Sequence, residues 1–228
     1  MKKIYLIRHA QSAANAGGSG DVVRFPNSEI PITDLGKVQA ASLADWLLAR
    51  IGQVNEIFVS PYLRAQQTAE PYLQKMNAQV TVLNDLHEFN YLSWANIQGK
   101  TFADLKTQAE QYWTRNDVDF CDGEDCDSFA SFFQQISDVR RFFAQKDDGV
   151  YVVFGHGFWI GVLLWQLLGR DAQRVDMQKF REFELLVRPH NTDVYLWQID
   201  DEAESVAKVR NSAAAVCSSL DANAFQAA

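Results

Sequence analysis

The sequence is short of cysteine, of positive charge and of long linkers, and each shortage closes off a class of protein. Three cysteines, Cys121, Cys126 and Cys217, in 228 residues cannot build a disulfide framework, and an odd number suits a reducing compartment. Lys and Arg total 21 against 29 Asp and Glu, a net charge of −8, so on average no basic face is available to track a nucleic-acid backbone. The apolar stretch Ile4–Ile7, between Met1-Lys2-Lys3 and Arg8-His9, is too short for a signal peptide, which makes the cytoplasm the expected compartment. Repeats and long linkers are missing too, so one domain is expected.

One segment does lack charge: residues 150–169 contain no Asp, Glu, Lys or Arg, as a membrane span would. Gly155-His156-Gly157 in its middle breaks helical continuity and would place a polar ring in hydrocarbon. A buried strand Val150–Phe154, a tight turn and a buried helix Phe158–Leu168 fit better, and no membrane partner is expected.

What remains is ordinary globular composition, 47% hydrophobic and 22% charged, enough to bury a sizeable core. Strands are expected at Lys3–Ile7, Glu56–Ser60, Gln79–Leu83 and Val150–Phe154, with a closing pair at Glu184–Arg188 and Val194–Ile199. A helix capped by Thr33 or Asp34 turns Leu35, Val38, Leu43, Trp46 and Leu47 inward and ends at Gly52. Ser60-Pro61 starts the next helix, which carries Arg64. Further helices fill Thr101–Trp113 and Ser128–Lys146, the second with Phe129, Phe132, Phe133, Ile136, Val139 and Phe143 as core. Alternating strands and helices predict an α/β, single-domain, three-layer sandwich, a mostly parallel sheet with helices on both faces and functional groups beyond the strands' carboxyl ends. The domain is expected to span 1–203, with residues about 89–130 forming a lid and an Ala/Ser-rich tail over 204–228.

His9 directly follows the first strand and His156 the Val150 strand, where such a sheet gathers its site. Arg8-His9-Ala10-Gln11-Ser12, Ser60-Pro61-Tyr62-Leu63-Arg64-Ala65-Gln66-Gln67-Thr68, Ile32-Thr33-Asp34-Leu35-Gly36-Lys37-Val38-Gln39 and Gly155-His156-Gly157 occur together. In that combination the chain resembles the histidine phosphatase superfamily, the phosphoglycerate-mutase-like fold, from about Lys3 to Ile199. The resemblance implies His9 as nucleophile, Arg8 and Arg64 as phosphoryl clamps, His156 as an imidazolium partner and Glu88 as general acid, with Asp85 the local competitor. Ser12, Asn15 and Gly157 would contact substrate. Ala10 and Gln11 stand where the family commonly has Gly and Glu, and Leu92–Gly99 departs from its usual pattern.

The implied activity is hydrolysis of a small phosphorylated metabolite through a phosphohistidine, with no cofactor. A cofactor-dependent phosphoglycerate mutase and a non-catalytic phospho-ligand scaffold are the alternatives. Against the mutase, Glu88-Phe89-Asn90-Tyr91-Leu92 stands where that branch carries Glu-Arg-His-Tyr-Gly. The loop Gly17–Glu29 and the segment Phe89–Cys126 are expected to cover the pocket. Their Phe25, Phe89, Tyr91 and Trp94, with Trp113, suggest an apolar or ring-bearing leaving group. Cys121 and Cys126 with the carboxylates between them lack the second pair a zinc site needs, so free thiols are expected. His87 and His190 fall outside the motifs as surface or packing residues.

Overall fold

The computed structural model describes residues 1–169, 176–201 and 203–212. Six strands form one sheet: β1 (Lys2–Arg8), β2 (Glu56–Val59), β3 (Thr81–Val82), β4 (Val150–Gly155), β5 (Val194–Ile199) and β6 (Glu204–Arg210), in the order β3-β2-β4-β1-β5-β6. The first four strands of that order are mutually parallel, whereas β5 runs antiparallel to β1 and β6 antiparallel to β5. Eight helices lie among the described residues: α1 (Ala13–Ala16), α2 (Asp34–Arg50), α3 (Leu63–Met76), α4 (Trp94–Ile97), α5 (Phe102–Arg115), α6 (Phe129–Ala144), α7 (Gly157–Leu167) and α8 (Met177–Val187).

Strand periodicity assigns the two faces. Ile7, Ile57, Val59, Val152 and Phe154 pack with Leu43, Ala44 and Leu47 of α2 and Ala65, Ala69 and Tyr72 of α3. The alternate residues Ile4, Leu6, Phe58, Tyr151 and Val153 pack under Phe132, Ile136 and Phe143 of α6 and Ile160 and Leu163 of α7. Central strands buried on both faces need apolar side chains at successive positions, which is why β1 and β4 are nearly continuous hydrophobic runs. In register, Arg8 lies opposite Gly155, so His9 and His156 leave neighbouring strands at the same level.

Four local expectations are corrected. Leu35 and Val38 are 43% and 65% exposed; α2 buries Gly36, Ala40, Leu43, Ala44 and Leu47 instead, because small residues allow close approach. Helix α3 starts at Leu63, beyond Ser60-Pro61, and the Ser60 hydroxyl instead accepts the Tyr62 amide at 3.2 Å. Glu184–Arg188 is not a strand: it lies in and just beyond α8, whose Met177, Phe180 and Glu184 recur at helical spacing on the buried side. The boundary placed at 203 falls between two paired strands, since Glu204–Arg210 forms edge strand β6 rather than tail. Residues 213–228 of the expected tail lie outside the described residues.

Candidate active site

The turn after β1 is braced by side chains with no chemistry of their own. The His9 amide donates to the Gly155 carbonyl at 3.0 Å, tying the two histidine-bearing turns together. Thr68 Oγ1 accepts the Ala10 amide at 2.9 Å and donates to the Arg64 carbonyl at 2.6 Å. Gln39 Oε1 accepts the Gln11 amide, Gln67 Oε1 accepts the Ile32 amide, and Thr33 Oγ1 donates to the Gln11 side chain at 2.7 Å. Gly36 is required for space: a Cβ there would stand 2.2 Å from the Gln11 carbonyl oxygen. The motifs around Thr33 and Arg64 thus converge on the backbone that presents His9.

His9 Nδ1 lies 2.7 Å from the Ala10 carbonyl oxygen, which can only accept, so Nδ1 carries the proton and Nε2 keeps a lone pair in the neutral ring. Burial, then the charges of Arg64 and Arg8, hold its pKa well below the ordinary value, which keeps that lone pair free. His156 is fully buried with its ring 5.3 Å from that of His9, and its Nε2 lies 2.7 Å from Ser60 Oγ. Its Nδ1 is buried without a partner. Burial and Arg64 also push its pKa well below normal, which favours the neutral ring in the free protein.

A pocket of about 240 Å³ opens in front of His9, lined by Arg8, Arg64, Glu88, Ser12, Asn15 and Gly157 among others. Arg64 donates to both the backbone and the side-chain oxygen of Asn27, the latter at 3.1 Å, and burial lowers its pKa to about 10, still leaving it charged at neutral pH. Arg8 donates to the Pro189 carbonyl, while its Nε is buried without a partner. A Cβ on Gly157 would come within 3.3 Å of that Nε, so glycine keeps the approach to the guanidinium open. Asn15 Oδ1 accepts from the Ser12 amide at 3.3 Å and from Asn191 Nδ2 at 3.0 Å.

Glu88 is anchored at the start of α7. Its Oε1 accepts the Phe89 and Trp159 amides, each at 3.1 Å, and its Oε2 the Phe158 amide at 3.0 Å. A carboxylate satisfies donors that an α-helix N-terminus leaves open. Burial nevertheless raises its pKa, against the pull of Arg64 and those amides. Asp85, its sequence competitor, is exposed and lines no part of the pocket.

Two pocket residues and one brace of the His9 turn lie outside the motifs. Arg188 lines the pocket and is held by Glu184 through Nε at 2.6 Å and Nη2 at 2.7 Å. Burial works against its charge, but the Glu184 contacts raise its pKa overall. Asn27 clamps Arg64, and Asn191 Nδ2 donates to the His9 carbonyl at 3.0 Å. Asn27 opens a short 3-10 turn after Pro26, and Arg188 and Asn191 lie in the connection between α8 and β5, so none stands on a strand or long helix. Of the aromatics expected over the pocket, Phe89 and Tyr91 line it, whereas Trp113 is buried against Phe158 with ring centroids 5.8 Å apart.

The acidic Cys121–Cys126 loop serves a structural purpose. Asp125 accepts Ser93 Oγ and the Trp94 amide, and Asp122 accepts the Ser93 amide, so both hold the start of α4. Burial, with Asp125 and Asp122, pushes the Cys126 thiol up to about 12. No group of three His, Cys, Asp or Glu residues among the described residues could hold a metal ion, and none of the helices described is long and apolar enough to cross a membrane.

Comparison with known proteins places this geometry. The pattern of the histidine phosphatase superfamily (branch 1) matches residues 4–212. A Hydrogenobacter thermophilus protein provisionally named phosphoserine phosphatase 2 is 35% identical over 102 residues, 45% of this chain and 46% of that protein. The phosphohistidine phosphatase SixA of Escherichia coli is 32% identical over 68 residues, 30% of this chain and 37% of its own length. The matched stretches thus span less than half the length of these curated relatives. In fold, the chain is similar to the alpha-ribazole phosphatase of Shigella flexneri, with a TM-score of 0.69 at 20% identity over 90% of this chain and 95% of that one. It is also similar to mycobacterial glucosyl-3-phosphoglycerate phosphatase, with a TM-score of 0.68 at 21% identity over 91% of this chain and 98% of that one. The sheet that carries both histidines and the pattern matched from residue 4 to 212 agree, and the chain belongs to the histidine phosphatase superfamily, branch 1.

Proposed function

We propose that the protein hydrolyses phosphomonoesters through a covalent phospho-His9. The observation that carries this reading is the His9 ring, held by the Ala10 carbonyl with Nε2 unprotonated, beside Arg8, Arg64 and Glu88 in one pocket. In the first step Nε2 attacks phosphorus, the phosphorus–ester-oxygen bond breaks, and the Glu88 carboxyl gives its proton to the departing oxygen. In the second, the Glu88 carboxylate takes a proton from water, the water oxygen bonds phosphorus, and the phosphorus–nitrogen bond breaks. Arg8 and Arg64 meet the charge on the transferring group, as a guanidinium fork suits phosphoryl oxygens. Arrival of a phosphate beside the paired histidines supplies the negative charge that favours protonation of His156.

These roles need no metal from the chain, so activity is expected to persist in chelator. A scaffold that only binds phosphate would need the arginines but neither a deprotonated nucleophile nor a buried acid. The test is rapid-quench intact-mass analysis during turnover. One added phosphoryl group, stable in base, lost in acid and absent from His9→Ala, is expected; an active enzyme that never carries it overturns the mechanism.

A further inference from the structure

Beside the catalytic pocket lies a second cavity of about 460 Å³ that shares Ala14, Asn27, Ile30, Phe89 and Tyr91 with it. We propose that it receives the leaving group of the ester, and that this group is bulky, uncharged and largely apolar; the proposal rests on the phosphatase reading above.

The cavity is a built wall and not a loose flap. The Val23 and Phe102 amides donate to the Lys100 and Asp21 carbonyls at 2.8 and 2.9 Å, and the Gly99 and Ala103 amides to the Val23 and Ser19 carbonyls at 3.0 and 3.1 Å. The loop after α1 is thereby stitched to the turn between α4 and α5. Its lining is dominated by carbon: Val23, Ile30, Phe89, Ile97, Phe102 and Leu105. A cavity this size, walled by aliphatic and aromatic side chains with a few polar groups, matches the usual form of a small-molecule site.

Charge selects the occupant. The only ionisable side chains on the cavity wall, tyrosine aside, are Asp21, whose carboxylate already accepts the Gly18 amide at 2.8 Å, and Arg24, which is exposed. Asp21 and Arg24 are both exposed, so each could meet a charge only at the solvent side, and an ammonium or carboxylate carried in among Val23, Ile97, Phe102 and Leu105 would lose its water there. The competing arrangement keeps a small charged leaving group in the catalytic pocket against Arg188. Glu184 already occupies two of the three guanidinium nitrogens of Arg188 there.

The experiment compares four primary alkyl phosphates: ethyl, hexyl and 2-(1-naphthyl)ethyl phosphate, whose leaving alkoxides are of similar basicity, and O-phosphoserine, whose ammonium makes its alkoxide the better leaving group. Expected is a rise in kcat/KM of at least about tenfold from ethyl to the naphthylethyl ester, with O-phosphoserine no better than ethyl phosphate. Leu105→Trp, which fills the cavity, should collapse the naphthylethyl-to-ethyl ratio, and Ile97→Phe should lower it less. Affinities of ethyl- and 2-(1-naphthyl)ethylphosphonate, measured by calorimetry, read the same preference without turnover. A best rate on O-phosphoserine, or a ratio unmoved in both variants, overturns the proposal while leaving phospho-His9 intact. Tight naphthylethylphosphonate binding without hydrolysis of any ester overturns the phosphatase reading and keeps the apolar site; loss of the phosphonate preference overturns the site itself.

Discussion

Glu88 combines a raised pKa with three amide contacts, and this fixes where its proton resides. Oε1 accepts two amides and Oε2 one, so the oxygen with the spare lone pair, Oε2, is the one that can carry a proton. Glu88→Gln keeps the shape but turns a second donor toward one of those amides, a structural cost common to every substrate. The chemical cost differs. On an alkyl phosphate, whose alkoxide leaves poorly, kcat/KM should fall by about 10²–10⁴-fold, and on an activated aryl phosphate by far less. The ratio of the two losses, read on one preparation, is the measurement; a ratio near one removes Glu88 from the acid role. Arg8, His9, Arg64 and His156 were legible because each stands in a short motif just after a strand, and Glu88 only through the family resemblance. Arg188, Asn27 and Asn191 were not, since long-range packing brings the first two to the pocket and the third to the His9 carbonyl, and their neighbours in sequence carry no pattern.

At the scale of an element, edge strand β6 does what a tail could not. Arg210 Nη1 donates to the Thr192 carbonyl at 2.6 Å and to Thr192 Oγ1 at 2.9 Å, and Asp193, fully buried, accepts Lys208 Nζ at 2.8 Å and the Ser212 amide at 2.8 Å. Thr192 has φ of 63°, a left-handed conformation that a β-branched residue adopts only when its surroundings impose it. Its amide donates to the Arg8 carbonyl at 3.0 Å, and neighbouring Asn191 holds the His9 carbonyl. Strand β6 therefore supports the His9 turn through one strained corner. The Ala/Ser-rich composition beyond Ala203 concealed this, because Glu204–Arg210 has little hydrophobic alternation and gains its place by pairing with β5. Arg210→Met should cost about 2 kcal/mol, from hydrogen bonds made by a charged donor, and lower the melting temperature by roughly 4–8 °C. If the corner positions His9, kcat should also drop with KM little changed at a temperature where the variant is fully folded, and Arg210→Lys should recover part of it. A lower melting temperature with unchanged kcat would leave the corner a purely structural role.

Over the whole molecule, a net charge of −8 encloses a pocket lined by three arginines, and that local reversal makes stability depend on pH. His9 and His156 are kept neutral first by burial and then by Arg64, so their folded pKa values lie well below 6.5. In the unfolded chain both return to about 6.5. Below that pH the unfolded state binds more protons, so their contribution is present above about 6.5 and is lost as pH falls toward the folded values. The slope reaches about 1.4 kcal/mol per pH unit for each ring. His87 works in another window: burial opposes its charge, but Asp127 and the Asn84 carbonyl raise its pKa, so its contribution is complete below about 6.5 and disappears only as pH rises through the folded value. Glu88, with its raised pKa, offsets one ring at most between its folded value and the ordinary carboxyl range. Denaturant midpoints taken from about pH 6.5 down to about pH 5, in a buffer free of phosphate so that no anion charges the rings, should therefore fall steadily. His9→Ala combined with His156→Gln should flatten that limb while leaving the behaviour above pH 7 nearly as before. An equally steep limb in the double variant would mean that other groups take up the protons, and that the two histidines are not held neutral in the folded protein.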